Sequence, residues 1–169
     1  MAGIKIGKES NLRFDGQWVT NNYWMAKGPH VKVSLKTAQG LIDAGIPFSK
    51  DKYSLDLDTG EGCADFDNAR IVEQAAPNEA DNACNPTALI YEDSNRAHRV
   101  CKHASGRVVA LDLAYSSLWE GCCMYQAAPL TSVSVYRNDE DLVAIVMPCN
   151  VTDDMSRHLQ FVATGLTKE

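Results

Sequence analysis

No run of about 18 apolar residues occurs in the 169-residue chain, which excludes a transmembrane helix. The opening stretch "MAGIKIGKES" is too polar for a signal peptide, so a cytoplasmic protein with no membrane partner is expected. The six cysteines include no C-x-x-C pair, which removes the usual zinc-ribbon and zinc-finger spacings. No serine sits in a nucleophile-elbow context and no glycine-rich loop precedes a helix, so neither a hydrolase nor a phosphate-loop signature is present. Solenoid repeats and low-complexity tracts are missing too. What remains is an ordinary globular composition, 45% apolar and 22% charged, in a chain long enough to bury a core.

Positive charge is scarce and unevenly placed. The net charge is −6, from 16 Lys and Arg against 22 Asp and Glu. Residues 1–37 hold six basic side chains against two acids, and residues 96–110 hold four against none. The intervening residues 38–95 carry three against twelve, and 111–169 carry three against eight. A localised electrostatic footprint can therefore survive an acidic total. Lys32, Lys36, Arg96, Arg99, Lys102 and Arg107 are the candidate phosphate contacts, of the kind that fix backbone and read little sequence. Solvated surface charge is the competing explanation for each.

Pattern along the chain favours strands. "NLRFDGQWVTNNYWMAKG" alternates Leu12 and Phe14, turns at Asp15-Gly16, and continues into Trp18, Val19, Tyr23 and Trp24, which predicts a hairpin. "HVKVS" reads as a short strand entering a helix capped by Ser34 and stopped by Gly45; "KYSLDLDTG" reads as a strand with one wet face. Residues 61–86, with two prolines around Ile71-Val72, read as an ordered crossing segment without an element of its own. Beyond it come strands in "TALIYED", "HRVCKHAS" and "RVVALD", with the second turn at Ser105-Gly106. A short helix in "LAYSSLWEG" follows, stopped by Gly121, and then strands in "CCMYQAA", "TSVSVYRN" and "DLVAIVMP". The expected class is α+β, with antiparallel sheets, two short helices and a strand–helix–strand–strand unit used about twice.

Candidate chemistry is thin. "DLD" at Asp56–Asp58 places two carboxylates on one strand face, which in an alternating strand is better read as a solvated face. Cys101 and His103 would share a strand face and, with Cys63, Cys84 or the pair Cys122-Cys123, could supply four zinc donors. The spacing fits no established zinc pattern, so no metal and no cofactor are expected, and no catalytic residues are assigned.

The order of these segments resembles a DNA sliding-clamp domain of the bacterial β-clamp kind. "GRVVALDLAYSSLWEG…PLTSVSVYRNDEDLVAIVMPCNV" is similar to that family's closing half-domain: a strand, a helix bearing Y-L-x-x-L, a PV-x-I strand, and a strand ending V-V-M-P-M. Upstream, "HVKVSLKTAQGLIDAGIP…YSLDLDTG", "FDNARIVEQAAP" and "FDGQWVTNNYWMAKG" resemble the family's first unit, its crossing segment and its T-D-G-x-x-L-A hairpin. The resemblance covers most of residues 11–151. It implies repeated βαβββ half-domains, here about 11–75 and 87–151, in a single clamp-like domain 1–151, with 152–169 as a C-terminal appendage. It further implies a homo-oligomeric ring around double-stranded DNA, acting as a non-enzymatic processivity or recruitment factor in DNA replication. A pocket receiving short peptides from a polymerase or another replication or repair protein would fall at Val146, Met147 and Pro148.

Departures are visible as well. The second helix carries Glu120 and no Lys or Arg, where the family's hole-facing helices are basic, and Pro-Cys-Asn-Val replaces P-M-R-L at the pocket rim. The alternative reading is an acidic adaptor or inhibitor that binds protein through a clamp-like fold without encircling DNA.

Overall fold

A computed structural model describes residues 4–6, 11–15, 17–27, 31–33, 53–56, 62–63, 68–93, 95–129 and 131–166. The protein is an α+β mixture of antiparallel sheets and a few helices, as the alternating pattern predicts. The chain divides into two compact units, Met1–Gln74 and Ala75–Glu169.

In the first unit, β1 (Ile4–Ile6) pairs in parallel with β5 (Val31–Val33). The remaining strands form an antiparallel sheet: β2 (Asn11–Phe14) lies between β3 (Trp18–Thr20) and β6 (Tyr53–Asp56), with β4 (Trp24–Lys27) beyond β3 and β7 (Gly62–Cys63) beyond β6. The predicted hairpin is thus a three-stranded meander. Its second turn exists because Asn21 Oδ1 accepts from the backbone N–H groups of Tyr23 and Trp24 (2.9 and 3.0 Å), with Asn22 at φ 77°. Asp15 Oδ1 organises the first turn in the same way, accepting from Gln17 and Trp18 (2.9 and 2.7 Å). The helix expected from Ser34 to Gly45 lies outside the described residues.

The crossing segment is more structured than expected. It contains α1 (Ala69–Glu73), which starts where the carbonyl of the buried Asn68 accepts from Ile71 and Val72 (3.0 and 3.2 Å). A 3-10 turn follows at Ala80–Asn82, and regular pairing begins at Cys84. Five residues are too few for a hydrophobic period to show, which is why the sequence pattern missed α1.

The second unit contributes two runs of three antiparallel strands. The first is β8 (Cys84–Asp93), β9 (Arg96–His103) and β10 (Val108–Asp112), in the order β10-β9-β8. Pro86 pairs with Cys101 and Ile90 with Arg99, so Thr87, Ala88 and Leu89 face Val100 alone and β8 bulges. That bulge admits a proline and lets the strand begin earlier than the sequence suggests. Gly106 at φ 88° makes the predicted β9–β10 turn. A 3-10 turn at Leu113–Tyr115 runs into α2 (Ser116–Trp119), which buries Leu118 and Trp119 and ends at Gly121, φ 75°. The second run is β11 (Cys123–Tyr125), β12 (Val133–Arg137) and β13 (Asp141–Val146), with Asn138 and Asp139 at positive φ in its tight turn.

Two single bridges join the runs within this unit, Ala83 to Tyr125 and Ala110 to Cys149. The segment expected as an appendage is α3 (Asp153–Leu166), whose Leu159 and Ala163 pack with Val100, Leu89, Tyr91 and Val108 on one face of β8-β9-β10.

Candidate functional site

Strand β9 carries five of the residues singled out from sequence, Arg96, Arg99, Cys101, Lys102 and His103, and its alternation decides what each can touch. Lys102, Val100 and His98 pair across β10 with Val108, Ala110 and Asp112 without a register shift. Arg96, His98, Val100 and Lys102 therefore share the face under α3, while Ala97, Arg99, Cys101 and His103 share the opposite face.

The expected basic patch is consequently split between two faces. Arg96 is largely exposed, and its guanidinium pairs with Asp112 Oδ2 at 3.5 Å. Arg99 donates to the Thr87 carbonyl at 3.0 Å, inside the bulge that Thr87 also braces by donating from Oγ1 to the Val100 carbonyl at 2.7 Å. Arg107 donates from Nη2 to Gln126 Oε1 at 3.0 Å. Lys102 is half-buried at the end of the helix-covered face. Lys32 falls in β5 of the first unit, opposite Lys5, and Lys36 lies outside the described residues. Sequence spacing alone does not separate an arginine held by its own fold from one offered to a phosphate.

On the helix-covered face a second group of side chains meets at the end of the sheet. His98 is buried and stacks on Tyr91 with ring centroids 4.8 Å apart, and its Nδ1 makes no hydrogen bond. Directly across, the buried Asp112 uses Oδ1 to accept from the Ala114 N–H at 2.9 Å, capping the turn into α2. Cys149 reaches the same place because its N–H donates to the Ala110 carbonyl at 2.8 Å. Burial pushes the Cys149 thiol up, the Asp112 carboxylate adds to the rise, and Arg96 opposes it. Burial also raises the Tyr91 phenol, with smaller contributions from Cys149 and Asp93. A thiol held protonated is a poor nucleophile at neutral pH. The arrangement is that of a polar seam.

The opposite face holds the donors considered for zinc. Cys84 pairs with His103 and Cys101 with Pro86, so Cys84, Cys101 and His103 project from the same face. Both ring nitrogens of His103 are already engaged, Nδ1 with Ser105 Oγ and Nε2 with the Gln126 carbonyl, each at 2.8 Å. Cys63 lies in β7 of the first unit. Among the described residues no group of three His, Cys, Asp or Glu side chains is placed to hold a metal ion. Gln126, which nothing in the sequence marked, is the centre of this face. It is almost fully buried, receives Arg107, donates from Nε2 to the Thr131 carbonyl at 2.7 Å, and donates its N–H to the Asn82 carbonyl at 2.8 Å.

Desolvation drives Cys84 up to about 11 and Cys101 up to about 12, from an ordinary 9.0. At pH 8 their thiolate fractions are lower than that of an ordinary cysteine by on the order of 100-fold and 1,000-fold. Alkylation of the native protein with iodoacetamide at pH 8 is therefore expected to label the exposed Cys123 well ahead of the buried Cys84 and Cys101, which are spared. Peptide mapping checks this, and early label on Cys101 would contradict the packing described.

Of the three expected pocket residues, only Met147 is well exposed, at 45%. Val146 is the last residue of β13, fully buried opposite Val133, and Pro148 is half-buried. The strand is buried on both faces from Val143 to Val146, so it is core rather than a wall open to a peptide. Met147 and Pro148 form the short crossing from β13 to the Cys149 bridge.

No helix among the described residues is long and apolar enough to cross a membrane. No family model matches the chain, and no curated protein or solved structure matches it either.

Proposed function

We propose that this protein is a non-catalytic protein-recognition module, an acidic adaptor or inhibitor that does not encircle DNA. The observation that carries the reading is the fate of the basic residues in β9 and its turn. Arg96 is neutralised by Asp112, Arg99 and Arg107 are spent on backbone and side-chain acceptors of their own unit, and the set is divided between opposite sheet faces. Counterion release needs several cations along one track, and Arg96, Arg99, Lys102 and Arg107 are not arranged along one. The net charge of −6 disfavours a second polyanion and suits a basic partner. Fluorescence anisotropy with a labelled duplex at about 50 and 200 mM salt tests it, over the range where phosphate-bound proteins lose most of their affinity. No saturable binding is expected at either salt. Tight binding that collapses between the two would overturn the reading.

A second reading, the clamp-like processivity factor, is favoured by one observation. β10, α2, β11, β12 and β13 succeed one another in the strand–helix–three-strand order that the clamp resemblance requires. It calls for a homo-oligomer that retains circular DNA, so a monomeric mass in solution together with the anisotropy result above would dispose of it.

A further inference from the structure

Helix α3 packs on β8-β9-β10 with a narrow apolar face among its described side chains. Of its side chains from Asp154 to Ala163, only Leu159 and Ala163 are buried, with Met155 half-buried beside them. Its largest apolar side chain points away from the sheet: Phe161 is 84% exposed, and Val162 next to it is 43% exposed. The ion pair Arg157–Asp154 (3.7 Å) and the His158 contact to the Asp154 carbonyl both stay within the helix. A 14-residue helix is marginal in isolation, so its persistence depends on tertiary packing.

The same sheet face contains an uncompensated polar atom. His98 Nδ1 is buried without a hydrogen bond, and its stacking partner Tyr91 belongs to the cluster that receives Leu159 and Ala163. Desolvating a ring nitrogen without a partner is unfavourable, and admitting water at this seam relieves it. The sheet, by contrast, holds itself together through an unbroken ladder between β9 and β10 and a ladder between β9 and β8 interrupted only at the Thr87–Leu89 bulge. We infer that α3 is a releasable latch: it detaches as a unit from β8-β9-β10 while that sheet stays folded, uncovering a strip made of Leu89, Tyr91, His98, Val100 and Val108. Release requires no partner and is independent of either functional reading.

Native-state hydrogen exchange on the full chain reads this directly. Amides from Met155 to Ala163 are expected to exchange at one shared rate, about tenfold or more faster than those of His98 to Cys101. Leu159→Ala is expected to speed the helix several-fold and leave the β9 amides unchanged. Equal protection of α3 and β9, rates graded from the helix end as in simple fraying, or a variant that speeds both elements alike would each overturn the latch.

Discussion

Val146→Asp is expected to abolish cooperative folding of the second unit, while Met147→Asp one residue on leaves it intact. Val146 is fully buried and directly opposite Val133, which is fully buried too. A carboxylate there is cut off from water, and an unpaired buried charge costs several kcal/mol even after relaxation. Domains of this size are stable by roughly 5–15 kcal/mol, so the substitution takes a large share of the total. Met147 lies past the strand end with nearly half its surface in water, where a polar replacement changes stability by about 0.5 kcal/mol or less. Thermal melts followed by circular dichroism separate the two. If both variants melt like the parent, the placement of β13 as core is wrong and a surface pocket at Val146 regains its standing.

Asp112→Ala carries the second large effect. Its carboxylate caps the turn into α2 through Ala114 and holds Arg96, and it does both from a nearly buried position. Losing a cap of this kind costs about 1 kcal/mol. The ion pair adds about 0–1 kcal/mol, because Arg96 is 69% exposed and solvent screens it. The expected total is about 1–2 kcal/mol, read as a lower urea midpoint with an unchanged slope. Asp112→Asn keeps the accepting oxygen and is expected to recover most of the loss. An Asn variant as unstable as the Ala variant would show that charge, rather than capping, is what Asp112 contributes.

Strand positions were legible because period-two alternation and turn residues are local signals. "HRVCKHAS", "RVVALD", "TSVSVYRN" and "DLVAIVMP" all became strands, and Gly106 and Gly121 took the positive φ values that their stop roles require. Long-range effects were not legible. Nothing local in "TALIYED" announces a bulge, since it depends on Thr87 and Arg99 meeting across two strands. The sequence likewise offers Arg96, Arg99, Lys102 and Arg107 as one basic run, and only the pleat and the positions of Asp112, Thr87 and Gln126 reveal that the run is divided and its three arginines occupied. Gln126 was missed because a lone glutamine after a strand carries no signal until its buried partners are known. Val146 was assigned to a pocket through a resemblance whose motif is also what any buried strand ending at a proline looks like.

The bulge at Thr87 to Leu89 bears on how copies of this chain can assemble. β8 is the outer strand of its sheet, and a flat ten-residue edge would be a ready template for a strand from another molecule. Pro86 removes a backbone donor, and the bulge throws the ladder out of step at its middle. An incoming strand therefore meets a matched row of hydrogen-bonding groups over only a few residues at a time. Edge-to-edge joining of the kind that closes a ring by continuing a sheet across subunits is therefore disfavoured at β8, which leaves the opposite edge strand β10 and side-chain contacts as routes by which copies of the second unit assemble.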